Sequence, residues 1–408
     1  MSTHRQIKNP FRPGAGHMPP YLAGREEEQK EFKLLLAQDV VLKNLVLTGL
    51  RGVGKTVLLE TLKPIAINEN WLWIGTDLSE SMSVSEENMC VRLLTDLSAV
   101  TASLKTTAVK STAIGFKESN SKNLNFDGLT EIYNRTPGLA IDKIKHVLEL
   151  AWNALVAEKR KGIIFAYDEA QNLADQAERD QYPLSLLLDL FQSIQKKDIS
   201  FMLVLTGLPT LFPKLVEART FSERMFRVLT LERLNEQDSK DAIVKPTEGG
   251  PYSFHEETVD LIYNTSGGYP YFIQFICREL FDAWIQKVDD GQNPVARMGD
   301  IVRKLDTDFF SGRWSKTTDR QRELLEVVSY LPNCDSEFTI QEVTEKSKEM
   351  LANPFSPSHT NQILSSLCDA GLIYKNRHGK YSFAVPLLGS FIQRQIKERV
   401  TKLRSSKT

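Results

Sequence analysis

Cysteine is scarce in this chain, neither sign of charge is in excess, and no apolar run is long enough to cross a bilayer. Each scarcity excludes something. The four cysteines, Cys90, Cys277, Cys334 and Cys368, are scattered with no Cys-x-x-Cys pair. That argues against a disulfide framework or a thiolate metal site, and for thiols in a reducing compartment. The 51 Lys and Arg are balanced by 52 Asp and Glu, leaving a formal net charge of −1. No global basic field therefore advertises nucleic acid, and any such surface must be local. Residues 1–20 are polar and lack the apolar stretch of a signal peptide. With no span-length apolar segment either, the expectation is a cytoplasmic protein without a membrane partner. There is no internal repeat, and no Asn-Lys-x-Asp for reading guanine. What remains, 408 residues with 41% hydrophobic and 25% charged, is an ordinary globular composition sufficient for two or three domains.

Against that background one stretch stands out. Gly49-Leu50-Arg51-Gly52-Val53-Gly54-Lys55-Thr56 fits the phosphate-binding pattern Gly-x-x-x-x-Gly-Lys-Ser/Thr. It follows an apolar run, Asn44 to Thr48, and precedes helix formers beginning at Val57. Strand, glycine loop and helix are what the chemistry needs. The glycines let backbone N–H groups converge on an anion, and the helix N-terminus adds partial positive charge. Lys55 would reach the β- and γ-phosphates of ATP, and the Thr56 hydroxyl would hold Mg2+.

Further apolar runs follow at 71–77, 162–167, 200–206 and 227–231, separated by helical patterns at 84–105, 141–159 and 184–196. Alternating strands and helices predict an α/β fold with a parallel sheet. Residues 106–138 are polar and glycine-punctuated, and read as an insertion with a hairpin around Ala113 to Phe126. The second half of an ATPase site should be an apolar strand ending in acid, and Ile163 to Tyr167 followed by Asp168-Glu169 supplies it. Asp168 would orient Mg2+ through its waters, and Glu169 would be the general base for the attacking water. Thr206, at the next strand tip, can touch the γ-phosphate or simply end the strand. Arg219, Arg224 and Arg227 precede the last strand, and Arg224 is favoured as an arginine finger reaching a neighbouring subunit's γ-phosphate.

These residues together resemble the AAA+ ATPases, specifically the origin-recognition-complex-like AAA domain, with relatives among STAND signalling ATPases. Gly24-Arg25-Glu26, Ser222 to Arg227 and Gly268-Tyr269-Pro270-Tyr271-Phe272 carry the likeness beyond the phosphate loop. The resemblance implies an AAA+ P-loop NTPase core, an α-helical lid and a C-terminal winged helix-turn-helix. It implies that Pro20, Tyr21, Leu22 and Arg25 help hold adenine, and that Pro270 packs near the nucleotide. Gly267-Gly268-Tyr269-Pro270 lacks the sensor arginine frequent in AAA+ lids and resembles the STAND Gly-x-Pro element, which favours a slow switch. The expected domains are an arm (1–23), the ATPase core (24–234), the lid and linker (235–315), a winged helix (316–400) and a basic tail (401–408).

In the last domain, helices are predicted at 318–331, 339–349 and 358–370, then a ribbon over 371–383 with a basic turn. His359, Asn361, Gln362 and Ser366 would face outward from the third helix, where Asn and Gln can read adenine edges. That helix has no Lys or Arg for phosphates. Basic groups sit instead on the ribbon, at Lys375, Arg377, His378 and Lys380, and beyond it at Arg394, Lys397, Arg399, Lys402 and Arg404. The leading expectation is an ATP-hydrolysing switch that assembles as a nucleotide-dependent homo-oligomer and binds double-stranded DNA. The alternative is a STAND-like scaffold whose C-terminal domain binds a protein effector.

Overall fold

The computed structural model describes residues 7–14, 16–109, 119–289, 297–332, 334–377 and 379–405. Its contacts define two compact units, one of residues 25–49 and 55–231, the other of residues up to 24, 50–54 and 232 onward.

The first unit opens with α1 (Glu26–Leu36), whose first turn carries three glutamates suited to the positive end of the helix dipole. β1 (Asn44–Gly49) is buried at every position, as a strand covered on both faces must be. α2 (Lys55–Asn68) and β2 (Trp71–Ile74) follow. β2 ends earlier than the apolar run suggests because of Gly75, at φ +145°. A Cβ there would stand 1.7 Å from the Ala166 carbonyl oxygen, so only glycine allows the approach. The chain meets its neighbour again in a single bridge between Asp77 and Asp168.

α3 (Glu86–Thr101) starts where Ser85 Oγ accepts the Asn88 amide at 3.1 Å. β3 (Lys105–Val109) and β4 (Ser119–Asn123) pair antiparallel, so the hairpin lies earlier than expected. Residues 113–118 of that expectation fall outside the described residues. α4 (Phe126–Arg135), α5 (Ala140–Ala157), β5 (Gly162–Tyr167), α6 (Pro183–Gln195), β6 (Phe201–Gly207), α7 (Leu211–Ala218), α8 (Ser222–Met225) and β7 (Phe226–Leu231) follow in order.

The sheet has five strands in the order β2-β5-β6-β1-β7, parallel throughout. Tyr167 lies beside Leu205, and Thr48 beside Gly207. The carboxyl ends of β5, β6 and β1 therefore share one edge, the place where open α/β sheets bind ligands. Beneath it, Phe165 sits against Phe191 and Phe201 with ring centroids 5.1 and 5.7 Å apart. The buried Tyr167 hydroxyl donates to Asp96 at 2.9 Å. Burial raises the Asp96 carboxyl, and the Arg92 guanidinium opposes that shift. This pairing fixes the end of β5 just before the two acids.

The second unit is mainly helical: α9 (Glu236–Val244), α10 (Glu256–Ser266), α11 (Pro270–Asp289), α12 (Met298–Leu305), a π-helical turn at Asp306–Ser311, and α13 (Gly312–Trp314). The described part of the expected arm is packed in. Phe11 is fully buried, edge-on to Phe254 and Phe281. Arg278 of α11 donates to the Phe11 carbonyl at 3.1 Å. Then come α14 (Asp319–Ser329), α15 (Ile340–Met350), α16 (Pro357–Asp369), β8 (Ile373–Arg377), β9 (Lys380–Phe383) and α17 (Leu388–Ser405). Three helices and an antiparallel ribbon thus appear in the predicted order, and Phe338 adds one more bridge to Tyr381. α17 was not foreseen. It takes in the start of the expected basic tail, and its Leu388, Phe391 and Ile392 join the cluster that also holds Phe11 and the α11 core.

Candidate functional site

At the carboxyl edge of the first unit's sheet, three chain segments bring oxygen atoms together. The Thr56 hydroxyl, in the first turn of α2, donates to Asp168 Oδ2 at 2.5 Å. The fully buried Thr206, near the end of β6, donates to Asp168 Oδ1. The Glu169 amide donates to the same oxygen at 2.7 Å. Lys55 Nζ lies 2.9 Å from the Gly49 carbonyl oxygen. Glu169 is exposed and has a left-handed backbone, φ 51°, which non-glycine residues seldom adopt. Asp77, beside Asp168 through the bridge, has its carboxyl raised by burial and by the charges of Asp168 and Glu169.

Residues 50–54 belong to the second unit, where the middle of the glycine loop meets α11. Proline at the first position of α11 has no N–H, so Tyr271 carries the first free donor of that helix. It donates to the Gly52 carbonyl at 3.2 Å. Gly52 and Gly54 have φ of +78° and +92°, which explains both glycines. Val53 is buried. Arg51 Nε is buried without a hydrogen-bond partner among the described residues. Arg313 of α13 has its Nη1 on the Phe309 carbonyl at 2.6 Å. Its guanidinium is depressed by burial and by the charge of Arg51. Two cations and an unpaired buried donor beside a glycine loop are an arrangement that an anion would complete.

The other predicted residues are placed as follows. Tyr21 accepts a hydrogen bond from Lys245 Nζ at 2.8 Å, and Leu22 is half-buried. Arg25 is buried and donates to Glu28 at 3.1 Å. Val57 is half-buried in the first turn of α2, and Pro270 is half-buried at the start of α11. Arg219 is held by Asp189 at 2.7 Å and Arg227 by Glu31 at 2.8 Å. Arg224 is exposed, and no ion pair is found for it among the described residues.

In the C-terminal part, Gln362 and Lys375 are exposed, and His359 and Lys380 half-buried. Asn361 accepts the Tyr381 hydroxyl at 3.2 Å, so one of its recognition atoms is already engaged. The side chain of Arg377 and all of His378 lie outside the described residues. Two of the basic residues beyond the ribbon are paired internally: Arg394 binds Asp306 at 2.5 and 2.8 Å, and Arg399 binds Glu326 at 2.9 Å. Sequence reasoning missed Gln171, Asp77 and Arg313. Gln171 and Asp77 adjoin segments already singled out, whereas Arg313 carried no local signal.

A five-stranded parallel sheet with a phosphate loop after β1 and paired acids after β5 defines the fold as that of an AAA+ P-loop ATPase. Residues 21–216 match the AAA ATPase domain family. Residues 307–392 match a second family, described as a domain of unknown function. Among solved structures, the chain is similar to a Walker-type ATPase of Pyrococcus abyssi, at 14% identity and a TM-score of 0.57, over 91% of this chain and 96% of that one. It is also similar to the ORC2 protein of Aeropyrum pernix in its ADP form, at 13% identity and a TM-score of 0.54, over 95% and 97%. Such identities establish the fold alone. No curated protein matches the chain. Among the described residues no helix is long and apolar enough to cross a membrane.

Proposed function

We propose that the protein is an ATP-binding and ATP-hydrolysing switch whose C-terminal module, read as a winged helix, couples nucleotide state to double-stranded DNA. The observation that carries the ATPase reading is the meeting of Thr56, Asp168 and Thr206 at one sheet edge, with exposed Glu169 next in the chain. ATP would place its β- and γ-phosphates on the glycine loop and Lys55. Within the unit that holds residues 50–54, the unpaired Arg51 Nε and the neighbouring Arg313 suit an anion beside the loop. Tyr21, Leu22 and Arg25 are read as the adenine side. The donor set around Asp168 consists of oxygen atoms alone, which suits a hard cation. Thr56 would hold Mg2+ directly and Asp168 through its water. The ion would supply charge neutralisation on the phosphates.

Glu169 takes the proton of the attacking water as its oxygen bonds the γ-phosphorus. The bond to the β–γ bridging oxygen breaks, and ADP and phosphate leave. Because Arg219 and Arg227 are already paired, Arg224 is the arginine offered to a neighbouring copy. The Tyr271 amide on Gly52 gives the loop a direct tie to α11, through which nucleotide state would reach the lid. Phosphate release by the purified full chain tests this. Lys55→Ala should lose MgATP binding, and Glu169→Gln should bind ATP but turn it over only at a small residual rate. A folded Lys55→Ala protein with unchanged ATP affinity would defeat the assignment.

A second reading, a STAND-like scaffold with a protein partner, draws support from the third helix of the C-terminal module. α16 has no Lys or Arg, Asn361 is engaged, and Arg394 and Arg399 are paired internally. A gel shift on duplex DNA across a salt series separates the two, since phosphate contacts weaken steeply with salt.

A further inference from the structure

We propose that Gln171 is the positioning residue of the hydrolytic glutamate, bracing the Glu169 carboxylate against the tip of β6. The proposal rests on the reading of Glu169 as the general base. Both ends of the Gln171 amide are used. Nε2 donates to the Glu169 carboxylate, and Oε1 accepts the Leu208 N–H at 3.1 Å. The backbone of the brace is also held, because Lys214 on α7 donates to the Gln171 carbonyl at 2.8 Å.

Gly207 supplies an independent observation. A Cβ at that position would stand 2.7 Å from Gln171 Oε1 and 2.9 Å from Leu211 Cδ2. Glycine there leaves the room the amide occupies. The requirement is one of space, since Gly207 is not among the glycines with positive φ.

The reason for a brace is geometric. Glu169 is exposed, its side chain has several rotatable bonds, and a general base works only when held within reach of the water it deprotonates. The same strand tip serves both acids: Thr206 binds Asp168, and Leu208, two residues on, binds Glu169 through Gln171. A shift of that tip by an occupant of the site therefore moves both acids together. Residue type matters as well. Glutamate at 171 could not donate to Glu169 and would repel it, and asparagine is one methylene too short to span the gap.

The test is steady-state ATP turnover by the full chain, together with ATP affinity by calorimetry. Gln171→Leu should lower kcat at least tenfold while leaving the ATP dissociation constant within about twofold. Gly207→Ala should give the same split by crowding the amide. The deciding measurement is the double variant. In a Glu169→Gln background, adding Gln171→Leu should change the residual rate less than twofold, because a residue acting through another has no effect once that other is gone. If Gln171→Leu does not fold, Gln171→Asn keeps the amide while breaking the span. Full activity of the Gln171 variants with an inactive Glu169→Gln overturns the brace alone. An equal loss in both backgrounds also overturns it, by showing a merely structural role. A fully active Glu169→Gln overturns the hydrolysis reading and the brace with it.

Discussion

Thr206→Val isolates one hydrogen bond of the site with almost no change of shape. Thr206 is fully buried, and its hydroxyl donates to Asp168 Oδ1 while lying 3.5 Å from the Tyr167 carbonyl. Valine fills the same space without a donor. Asp168 Oδ1 then keeps the Glu169 amide at 2.7 Å but loses its partner on β6. Losing a hydrogen bond to a charged, buried acceptor costs about 1.5–3 kcal/mol. For a unit of about 200 residues, each kcal/mol moves the melting midpoint by roughly 2–4 °C, so a drop of roughly 3–12 °C is expected. If the bond also holds Asp168 in place during hydrolysis, the same energy lowers kcat by roughly tenfold to 150-fold. Thr206→Ser keeps the donor and should recover most of both losses. Thermal melts of the nucleotide-free protein and a phosphate-release assay measure the two effects separately. A valine variant that melts and turns over like the parent refutes the reasoning. One that melts lower but turns over normally shows that Thr206 only ends the strand.

Arg224→Ala should keep ATP affinity but lose any turnover gained on self-association, read by activity against protein concentration with sedimentation in a non-hydrolysable analogue. Gly268→Ala should destabilise the helical unit by at least about 1 kcal/mol, since φ is +77° and a Cβ would stand 2.5 Å from the Leu234 carbonyl oxygen; urea denaturation measures it. Reversing charge at Lys375 and Lys380 should weaken duplex binding and flatten its salt dependence while leaving ATP turnover unchanged; unaltered binding favours the protein-partner reading.

The strands of the sheet were legible because buried parallel strands are nearly continuous apolar runs, as at Gly162 to Tyr167. The phosphate loop and Asp168-Glu169 were legible because their spacing is local. β2 was overextended because the collision that ends it lies at Ala166, about ninety residues away in the chain. The ion pairs of Arg394 and Arg399 in α17 were not legible because nothing near them in sequence announces Asp306 or Glu326. Gln171 escaped for the same reason: a glutamine after two acids is unremarkable until Leu208 and Gly207 are seen beside it.

The burial of Phe11 has a consequence for how the chain is made. Asn9 donates to the Arg278 carbonyl, 269 positions further along. Translation at about 5–20 residues per second separates the emergence of those two partners by on the order of tens of seconds. The sheet unit ends at Leu231, so all of its strands leave the ribosome before α11 exists. Throughout that interval Phe11 lacks the rings of Phe254 and Phe281 that cover it in the folded chain. A nascent chain halted near residue 240 should therefore expose Phe11 to proteases and chaperones, and lose that exposure once α11 has been synthesised.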